Sequence, residues 1–182
     1  MIFETLIFRC LIHGTSFTDA GKTISLKKVM PGEKVLFFKI DDDTKKECLS
    51  ISGDCCDSLI YYSDSNNRRI LCLAELKGKD TEQAARQIIS TYDSLVLALG
   101  HSKKSWRTHS FECSDCKSHF NTCEACRTIL DKFTWKAFIH QRGSSPNQLG
   151  SDLVQELYKR FGKHGLGYDL SHVEDIGYLL RK

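Results

Sequence analysis

Three ionisable residues near the middle of the chain have the types and spacing that metal-assisted chemistry requires. Asp57 directly precedes the apolar run 58–62, and Glu75 and Lys77 end the next apolar run, which begins at Ile70. Because residues i and i+2 of a strand point to the same face, Glu75 and Lys77 are expected to project together. If the two runs pair as a hairpin, the start of the first lies beside the end of the second. The spacing therefore predicts two carboxylates and one ammonium close together.

This set of side chains fits one kind of reaction. Two converging carboxylates suit Mg²⁺ or Mn²⁺, because these cations prefer oxygen ligands and keep positions for water and phosphate. Such a cation acidifies a bound water and shields charge that builds on a phosphate. A lysine beside it orients the water or stabilises the negative transition state. The residues thus predict phosphodiester hydrolysis, with Asp57 and Glu75 as metal ligands and Lys77 as the assisting cation.

A simpler interpretation of the same residues stays open. Glu75 and Lys77 also fit a solvated pair at the end of a sheet, and Asp57 also fits a turn that follows Gly53. The order of features favours the site: an acid, a strand, a polar turn, an apolar strand, the E-x-K tripeptide and a capped helix. Asp54 is a rival to Asp57, and it is less favoured because it does not adjoin the strand.

In this order the residues resemble the PD-(D/E)XK nuclease superfamily. The resemblance covers about residues 35–100, with 133–140 as a candidate for a later strand of the core. It implies a restriction-endonuclease-like fold, which is α/β with a mixed central sheet flanked by helices. It also implies a Mg- or Mn-dependent nuclease with Asp57 and Glu75 as metal ligands and Lys77 as the catalytic lysine.

Further positions of the resemblance are less regular. Cys56 stands where the motif has proline. RecB-like members add a glutamine and a tyrosine from the following helix. Gln87 corresponds to the first, and Tyr92 corresponds less well to the second, because four residues separate them here rather than three. Many members use another acid from an early helix, for which Glu4 and Glu33 are equal candidates.

A second cluster predicts a different metal. Four cysteines form a C-x2-C-x6-C-x2-C pattern inside residues 110–130, namely Cys113, Cys116, Cys123 and Cys126. Each C-x2-C unit presents two thiolates, and four thiolates complete the tetrahedral shell of a structural Zn²⁺. A redox dithiol pair, an iron–sulfur cluster, or two disulfides in an exported protein are the alternatives. The contiguity of the four cysteines favours zinc, held in a small knuckle inserted into the nuclease-like domain.

The surroundings of the predicted knuckle leave two functions open. Residues 101–110 are basic, and with Trp106 they could follow a phosphate backbone or stack on a base. The same charges also fit a solvated face beside a zinc that only braces the insertion. The chain is predicted to be a nuclease, with DNA favoured over RNA as its substrate and with a second copy of the chain or another protein as its partner. The alternative is a non-catalytic zinc-knuckle adaptor that binds nucleic acid or protein. Defence against foreign nucleic acid, including antiviral defence, and repair are the roles that the resemblance implies.

The elements that position these residues follow from hydrophobic periodicity. A helix is expected from residue 81 to 99, capped by Asp80 and ended by Gly100. A turn is predicted over 41–46 and a hairpin from 57–62 and 70–76. The remaining predicted strands are 22–29, 35–40, 48–52 and 133–140. A further helix is predicted to start after Ser151 and run to Phe161, and one more helical turn is predicted within 171–180.

Composition sets the outer limits. With 182 residues, 41% of them hydrophobic and 27% charged, the chain suits a single folded domain over residues 1–182. No apolar run approaches the length of a membrane span, about 20 residues. Glu4 and Arg9 interrupt the apolar start, so we expect no signal peptide and a cytoplasmic, reducing location. The net charge of +3 permits nucleic-acid binding without requiring it.

Overall fold

A six-stranded sheet forms the centre of the molecule. The computed structural model describes residues 5–19, 21–78, 80–105, 133–141, 151–169 and 175–182. The strands are β1 (Leu11–Ile12), β2 (Ser16–Asp19), β3 (Lys22–Ser25), β4 (Lys34–Lys39), β5 (Ser58–Ser63), β6 (Arg69–Gly78), β7 (Phe133–Gln141) and β8 (Leu166–Asp169). The helices are α1 (Asp43–Cys48), α2 (Thr81–Ser105), α3 (Ser151–Phe161) and α4 (Gly177–Leu180), and a π-helical turn spans Leu6–Cys10.

The sheet is mixed, as the sequence predicted. Its strand order is β1-β4-β5-β6-β7-β8, and β2 and β3 form a separate two-stranded sheet. Neighbours from β1 to β6 run antiparallel, whereas β6, β7 and β8 run parallel to one another. Parallel neighbours need a crossover connection, and α2 and α3 lie in the two crossovers. The expectation of an α/β domain with a mixed central sheet flanked by helices is confirmed.

Two hydrophobic layers cover the two faces of this sheet. One layer holds residues of α2 and α3 against the sheet, including Leu59, Leu73, Ala85, Ile88 and Leu157. The other holds β2, β3 and the C-terminal residues against the opposite face, including Phe17, Ile24, Ile60, Cys72 and Leu179. The run 70–76 of β6 is buried at every position because it lies in the middle of the sheet and is covered on both faces.

The predicted hairpin is present and is the best-anticipated part of the fold. β5 pairs with β6 from Ser58 opposite Ala74 to Ser63 opposite Arg69. Asp64 stabilises the connecting turn, since its Oδ1 accepts hydrogen bonds from the amides of Asn66 and Arg68 at 3.0 and 3.1 Å. Aspartate bonds of this kind imitate a backbone turn.

The segment before the hairpin corrects the sequence prediction. The predicted turn over 41–46 and strand over 48–52 are wrong, because α1 spans Asp43–Cys48. Asp42 caps this helix by accepting hydrogen bonds from Thr44 N at 3.2 Å and Lys45 N at 3.4 Å. Leu49 and Ile51 are 0% and 6% exposed, so the hydrophobic residues of this segment are buried without forming a strand.

The long helix begins as predicted and ends later. Asp80 Oδ1 accepts hydrogen bonds from Glu82 N at 3.0 Å and Gln83 N at 3.1 Å, which confirms the predicted cap. Gly100 does not end the helix, which continues to Ser105. One glycine costs a helix only about 1 kcal/mol, which its neighbours in the helix can offset. β3 is shorter than the predicted strand 22–29. α3 begins at Ser151, one residue before the predicted start, and ends at Phe161 as predicted.

Candidate active site

The structure brings Asp57 and Glu75 together at one end of the hairpin. Asp57 directly precedes β5, and the antiparallel register that sets Ser58 opposite Ala74 places it beside Glu75. Asp57 N donates a hydrogen bond to Glu75 Oε2 at 3.2 Å, and Leu76 N donates to Asp57 Oδ2 at 2.7 Å. The predicted proximity of the two carboxyl groups is therefore confirmed.

Both carboxyl groups are buried. Asp57 and Glu75 are each 1% exposed. Taking a carboxylate out of water is costly unless hydrogen bonds or a cation offset the loss of hydration. Two neighbouring carboxylates also repel each other when both are ionised. Amide hydrogen bonds to a carboxylate are strong, and they fix the orientation of both side chains. A divalent cation at this point would offset the repulsion.

The chemistry of the donor set fits Mg²⁺ or Mn²⁺. Each carboxylate oxygen has more than one lone pair, so Asp57 and Glu75 can accept their amide hydrogen bonds and still ligate a cation. Among the described residues, no third histidine, cysteine, aspartate or glutamate joins them in a metal-binding group. Two protein carboxylates, with water and phosphate oxygens in the other positions, is a common arrangement for Mg²⁺.

The E-x-K tripeptide lies at an irregularity of β6. Glu75 pairs with Ile139 of β7, but the next described pair joins Gly78 and Gln141. Three steps along β6 thus correspond to two along β7, and the backbone of Lys77 lies within this interval. Bulges of this kind often occur next to active sites, where they change the direction of side chains. The sequence argument assumed a regular strand from Glu75 to Lys77 and missed the irregularity.

Gln87 contacts the backbone that leads into Asp57. Its Nε2 donates a hydrogen bond to the carbonyl oxygen of Cys55 at 3.2 Å. The residue lies on α2, which packs against β6. The structure therefore brings Gln87 to the candidate site, where its described contact is with the chain two residues before Asp57. Tyr92 is a core residue instead, since its ring packs edge-on against Trp135 and Phe161 at 5.1 Å each.

Sequence reasoning missed Thr91. Its Oγ1 accepts a hydrogen bond from Cys56 N at 2.9 Å and donates one to Gln87 O at 2.7 Å. Thr91 is 0% exposed. A threonine four residues after a predicted site glutamine was the available signal. Without the tertiary contact to Cys56, that signal does not distinguish a functional residue from an ordinary helix residue.

The two cysteines before Asp57 are buried thiols. Cys55 and Cys56 are 1% and 0% exposed, and both are free. Burial raises the pKa of Cys56 well above its usual value, so its thiol is neutral at physiological pH. A hydrogen bond from the Cys56 thiol lowers the pKa of Cys55. Cys56, at the proline position of the resembled motif, therefore fills space directly beside Asp57.

The rival acids lie elsewhere. Asp54 is exposed, whereas Asp57 is buried beside Glu75, so the structure favours Asp57. Glu33 lies at the other end of the sheet, where it pairs with Arg181 through Oε1 at 2.8 Å. Glu4 lies outside the described residues. Glu33 therefore does not supply a further acid beside Asp57 and Glu75.

The predicted zinc ligands, Cys113, Cys116, Cys123 and Cys126, lie outside the described residues. The same holds for Trp106 and the rest of the second half of the basic segment 101–110. Residues 101–105 of that segment continue α2. The zinc knuckle and its insertion therefore stay predictions from the sequence.

Comparison with known proteins gives no independent indication of function. No family model, curated protein or solved structure matches this chain. In the described part of the chain, every helix is too short or too polar to cross a membrane. The geometry of two buried, amide-oriented carboxylates beside an E-x-K strand end is therefore the basis for inferring function.

Proposed function

We propose that this chain is a divalent-metal-dependent nuclease of the PD-(D/E)XK type. The observation that carries the proposal is the buried pair of Asp57 and Glu75, joined through the bonds Asp57 N to Glu75 Oε2 and Leu76 N to Asp57 Oδ2. A buried carboxylate pair has little value to stability alone, because desolvation offsets most of what its hydrogen bonds contribute. Such groups are concentrated at functional sites.

The order of elements around the pair supports the same proposal. An antiparallel unit of β4, β5 and β6 leads into α2, and α2 crosses to the parallel strand β7. The superfamily pattern has its acid before one strand, its E-x-K on the next and a helix after it. This chain follows that order, and we propose a restriction-endonuclease-like core on that basis.

Each site residue has a proposed role. Asp57 and Glu75 hold Mg²⁺ or Mn²⁺ through carboxylate oxygens. When bound, the cation acidifies water and neutralises charge on the phosphate. Lys77 orients the attacking water or stabilises the negative charge of the transition state. A P–O bond to the water oxygen forms, the P–O bond to the leaving group breaks, and the leaving oxygen takes up a proton. Gln87 holds the Cys55 carbonyl and thereby the approach to Asp57.

DNA is the proposed substrate, with RNA as the second choice. The support is indirect: residues 101–182 carry 13 basic and 9 acidic side chains, and the predicted zinc knuckle lies in the same half. Phosphate contacts from such cations supply affinity that does not depend on sequence. Cutting a duplex takes two sites, which a homodimer or a partner protein supplies. Antiviral defence and repair are proposed as roles on the resemblance alone.

Cleavage of a panel of labelled DNA and RNA strands tests the proposal. The native chain should cut at least one substrate with Mg²⁺ or Mn²⁺, and chelation should stop it. Lys77→Ala should abolish cutting. Lys34→Ala is the matched control, because this exposed lysine starts β4 at the opposite end of the sheet. Equal cutting by native chain and Lys77→Ala would refute the proposed site.

Zinc analysis tests the alternative function. We expect one Zn²⁺ per chain in the purified protein and less than one in Cys113→Ser. A chain that carries zinc, binds nucleic acid and cuts none of the panel favours the non-catalytic adaptor. If the purified chain carries no zinc, the predicted zinc knuckle is wrong for both the nuclease and the adaptor.

A further inference from the structure

The segment that precedes Asp57 is attached to one face of α2. Three side chains of this helix, at positions i, i+3 and i+4, form hydrogen bonds with the backbone of that segment. Gln87 Nε2 donates to Cys55 O at 3.2 Å, and Thr91 Oγ1 accepts from Cys56 N at 2.9 Å. Ser90 Oγ donates to Ser52 O at 3.4 Å. Residues at these spacings lie on one helix face, so α2 acts as a template for residues 52–56.

Within this template, Thr91 makes two hydrogen bonds through one buried hydroxyl. It is fully buried, and its hydroxyl both donates to Gln87 O at 2.7 Å and accepts from the Cys56 amide. The bond to Gln87 O fixes the hydroxyl rotor and so directs a lone pair toward Cys56. Cys56 is itself 0% exposed, so no water can replace that acceptor without opening the core.

Cys56 is joined directly to Asp57, the first residue of the carboxylate pair. Asp57 N donates to Glu75 Oε2, and Asp57 Oδ2 accepts from Leu76 N. A rotation of the Cys56–Asp57 backbone would move the amide and the carboxylate of Asp57 together and lengthen both bonds. The hydroxyl of Thr91 restrains that rotation.

We propose that Thr91 is a positioning residue that sets the Asp57 carboxylate through the Cys56 amide. The inference rests on the proposed function for its link to metal binding, but its effect on the geometry of Asp57 is separate from it. The described hydrogen bonds of Thr91 join it to Cys56 N and Gln87 O, so it acts on the Asp57 carboxylate through the chain. Its influence should therefore appear in cation affinity and in the Leu76 amide bond.

Three variants separate positioning from ordinary stability. Thr91→Val has the shape of threonine and lacks the hydroxyl, and Thr91→Ser keeps the hydroxyl. Ile88→Val removes one methylene from a fully buried residue of the same helix, which has no described bond to residues 52–56. Its effect is loss of core packing alone.

Mn²⁺ titration, followed by electron paramagnetic resonance well below the unfolding temperature, gives the first readout. We expect Thr91→Val to weaken the Mn²⁺ affinity about tenfold, the usual loss when an outer partner of a metal ligand is removed. Thr91→Ser should stay within about twofold of the native chain. Ile88→Val should bind Mn²⁺ as the native chain does although it unfolds at a lower temperature.

Amide hydrogen exchange gives a second readout that needs no metal. The amide of Leu76 bonds to Asp57 Oδ2, while the amide of Cys72 belongs to the same strand at a distance from the site. Thr91→Val should raise the exchange rate of Leu76 relative to Cys72, and Thr91→Ser should restore it. Ile88→Val should leave the ratio unchanged.

The two readouts fail in different ways. If Thr91→Val leaves the exchange ratio or a measurable Mn²⁺ affinity as it is in the native chain, the positioning role is overturned. If the native chain binds no Mn²⁺ while Thr91→Val still raises the exchange ratio, the proposed metal function fails and the role of Thr91 in setting Asp57 stands.

Discussion

The two ends of β5 both carry buried acidic groups, and the two groups are compensated in different ways. At the far end, Glu33 accepts hydrogen bonds from Tyr62 Oη at 2.7 Å, Met30 N at 2.8 Å and both Nε and Nη2 of Arg181 at 2.8 and 3.0 Å. At the near end, the hydrogen bonds described for Asp57 and Glu75 come from backbone amides.

Glu33 has the contacts of a structural acid. The Arg181 guanidinium lowers the pKa of Glu33 to about 2, so the pair is ionised and its charge is neutralised by the protein itself. The amides of Asp57 and Leu76 orient the carboxyl groups of Glu75 and Asp57. Two oriented carboxylates suit a divalent cation, because Mg²⁺ commonly takes one or two protein carboxylates with water and phosphate oxygens.

The largest expected effect is at the near end. Glu75→Gln should slow cleavage by about 100- to 1,000-fold, because the amide removes a charged ligand from the site. The fold should hold, since the glutamine oxygen can still accept the hydrogen bond of Asp57 N. The measurements are the cleavage rate and the free energy of unfolding in urea. A variant that cuts normally would place the chemistry elsewhere.

The far end should respond in the opposite manner. Glu33→Gln should lower the free energy of unfolding by about 2 kcal/mol, because it removes the charge from an ion pair whose carboxylate is 7% exposed. The partial exposure of Arg181, 34%, keeps the loss at this modest size. Cleavage and Mn²⁺ affinity should stay unchanged. If they fall with stability, the two ends are not independent.

Acid titration of stability sharpens the same contrast. The pKa of Glu33 is lowered in the folded chain from 4.5 to about 2, so its contribution is present above pH 4.5 and lost as the pH falls toward 2. The native chain should therefore lose about 2 kcal/mol more than Glu33→Gln across this window. Urea unfolding of both chains at several pH values measures it. If the free energy of unfolding changes equally with pH in both chains, Glu33 is not the group whose lowered pKa stabilises the fold.

The smallest effect should come from the rival acid nearest to the site in sequence. Asp54→Asn should leave cleavage within about twofold and stability within about 0.5 kcal/mol, because the side chain is exposed. The same two assays serve as the check. A large loss of cleavage without loss of stability would move the candidate site from Asp57 to Asp54.

Local patterns predicted the parts of the fold that local chemistry controls. The β5–β6 hairpin, its polar turn and the Asp80 cap of α2 follow from alternation, turn residues and a capping aspartate within a few residues of chain. The proximity of Asp57 and Glu75 followed from the hairpin alone. These features need no knowledge of distant residues.

The parts that were missed depend on contacts between distant segments. The hydrophobic residues 48–52 suggested a strand, yet they are buried beside α1 without one. The irregularity of β6 after Glu75 depends on its pairing with β7, more than 60 residues later. Arg181 at Glu33 is joined across 148 residues, and no local pattern reveals such a pair.

The sequence by itself predicted that Asp57 and Glu75 meet at the end of a hairpin, because a short turn between paired strands leaves few other arrangements. That Lys77 projects with them stays a prediction. It also predicted the mixed α/β class, through the resemblance carried by the order of acid, strand, E-x-K strand and helix. Tertiary structure alone decided that Asp57 and Glu75 are buried, that Glu33 belongs to Arg181, and that Thr91 restrains the chain beside the site. Burial and hydrogen-bond partners depend on which distant surfaces meet, and that is settled only when the whole core packs.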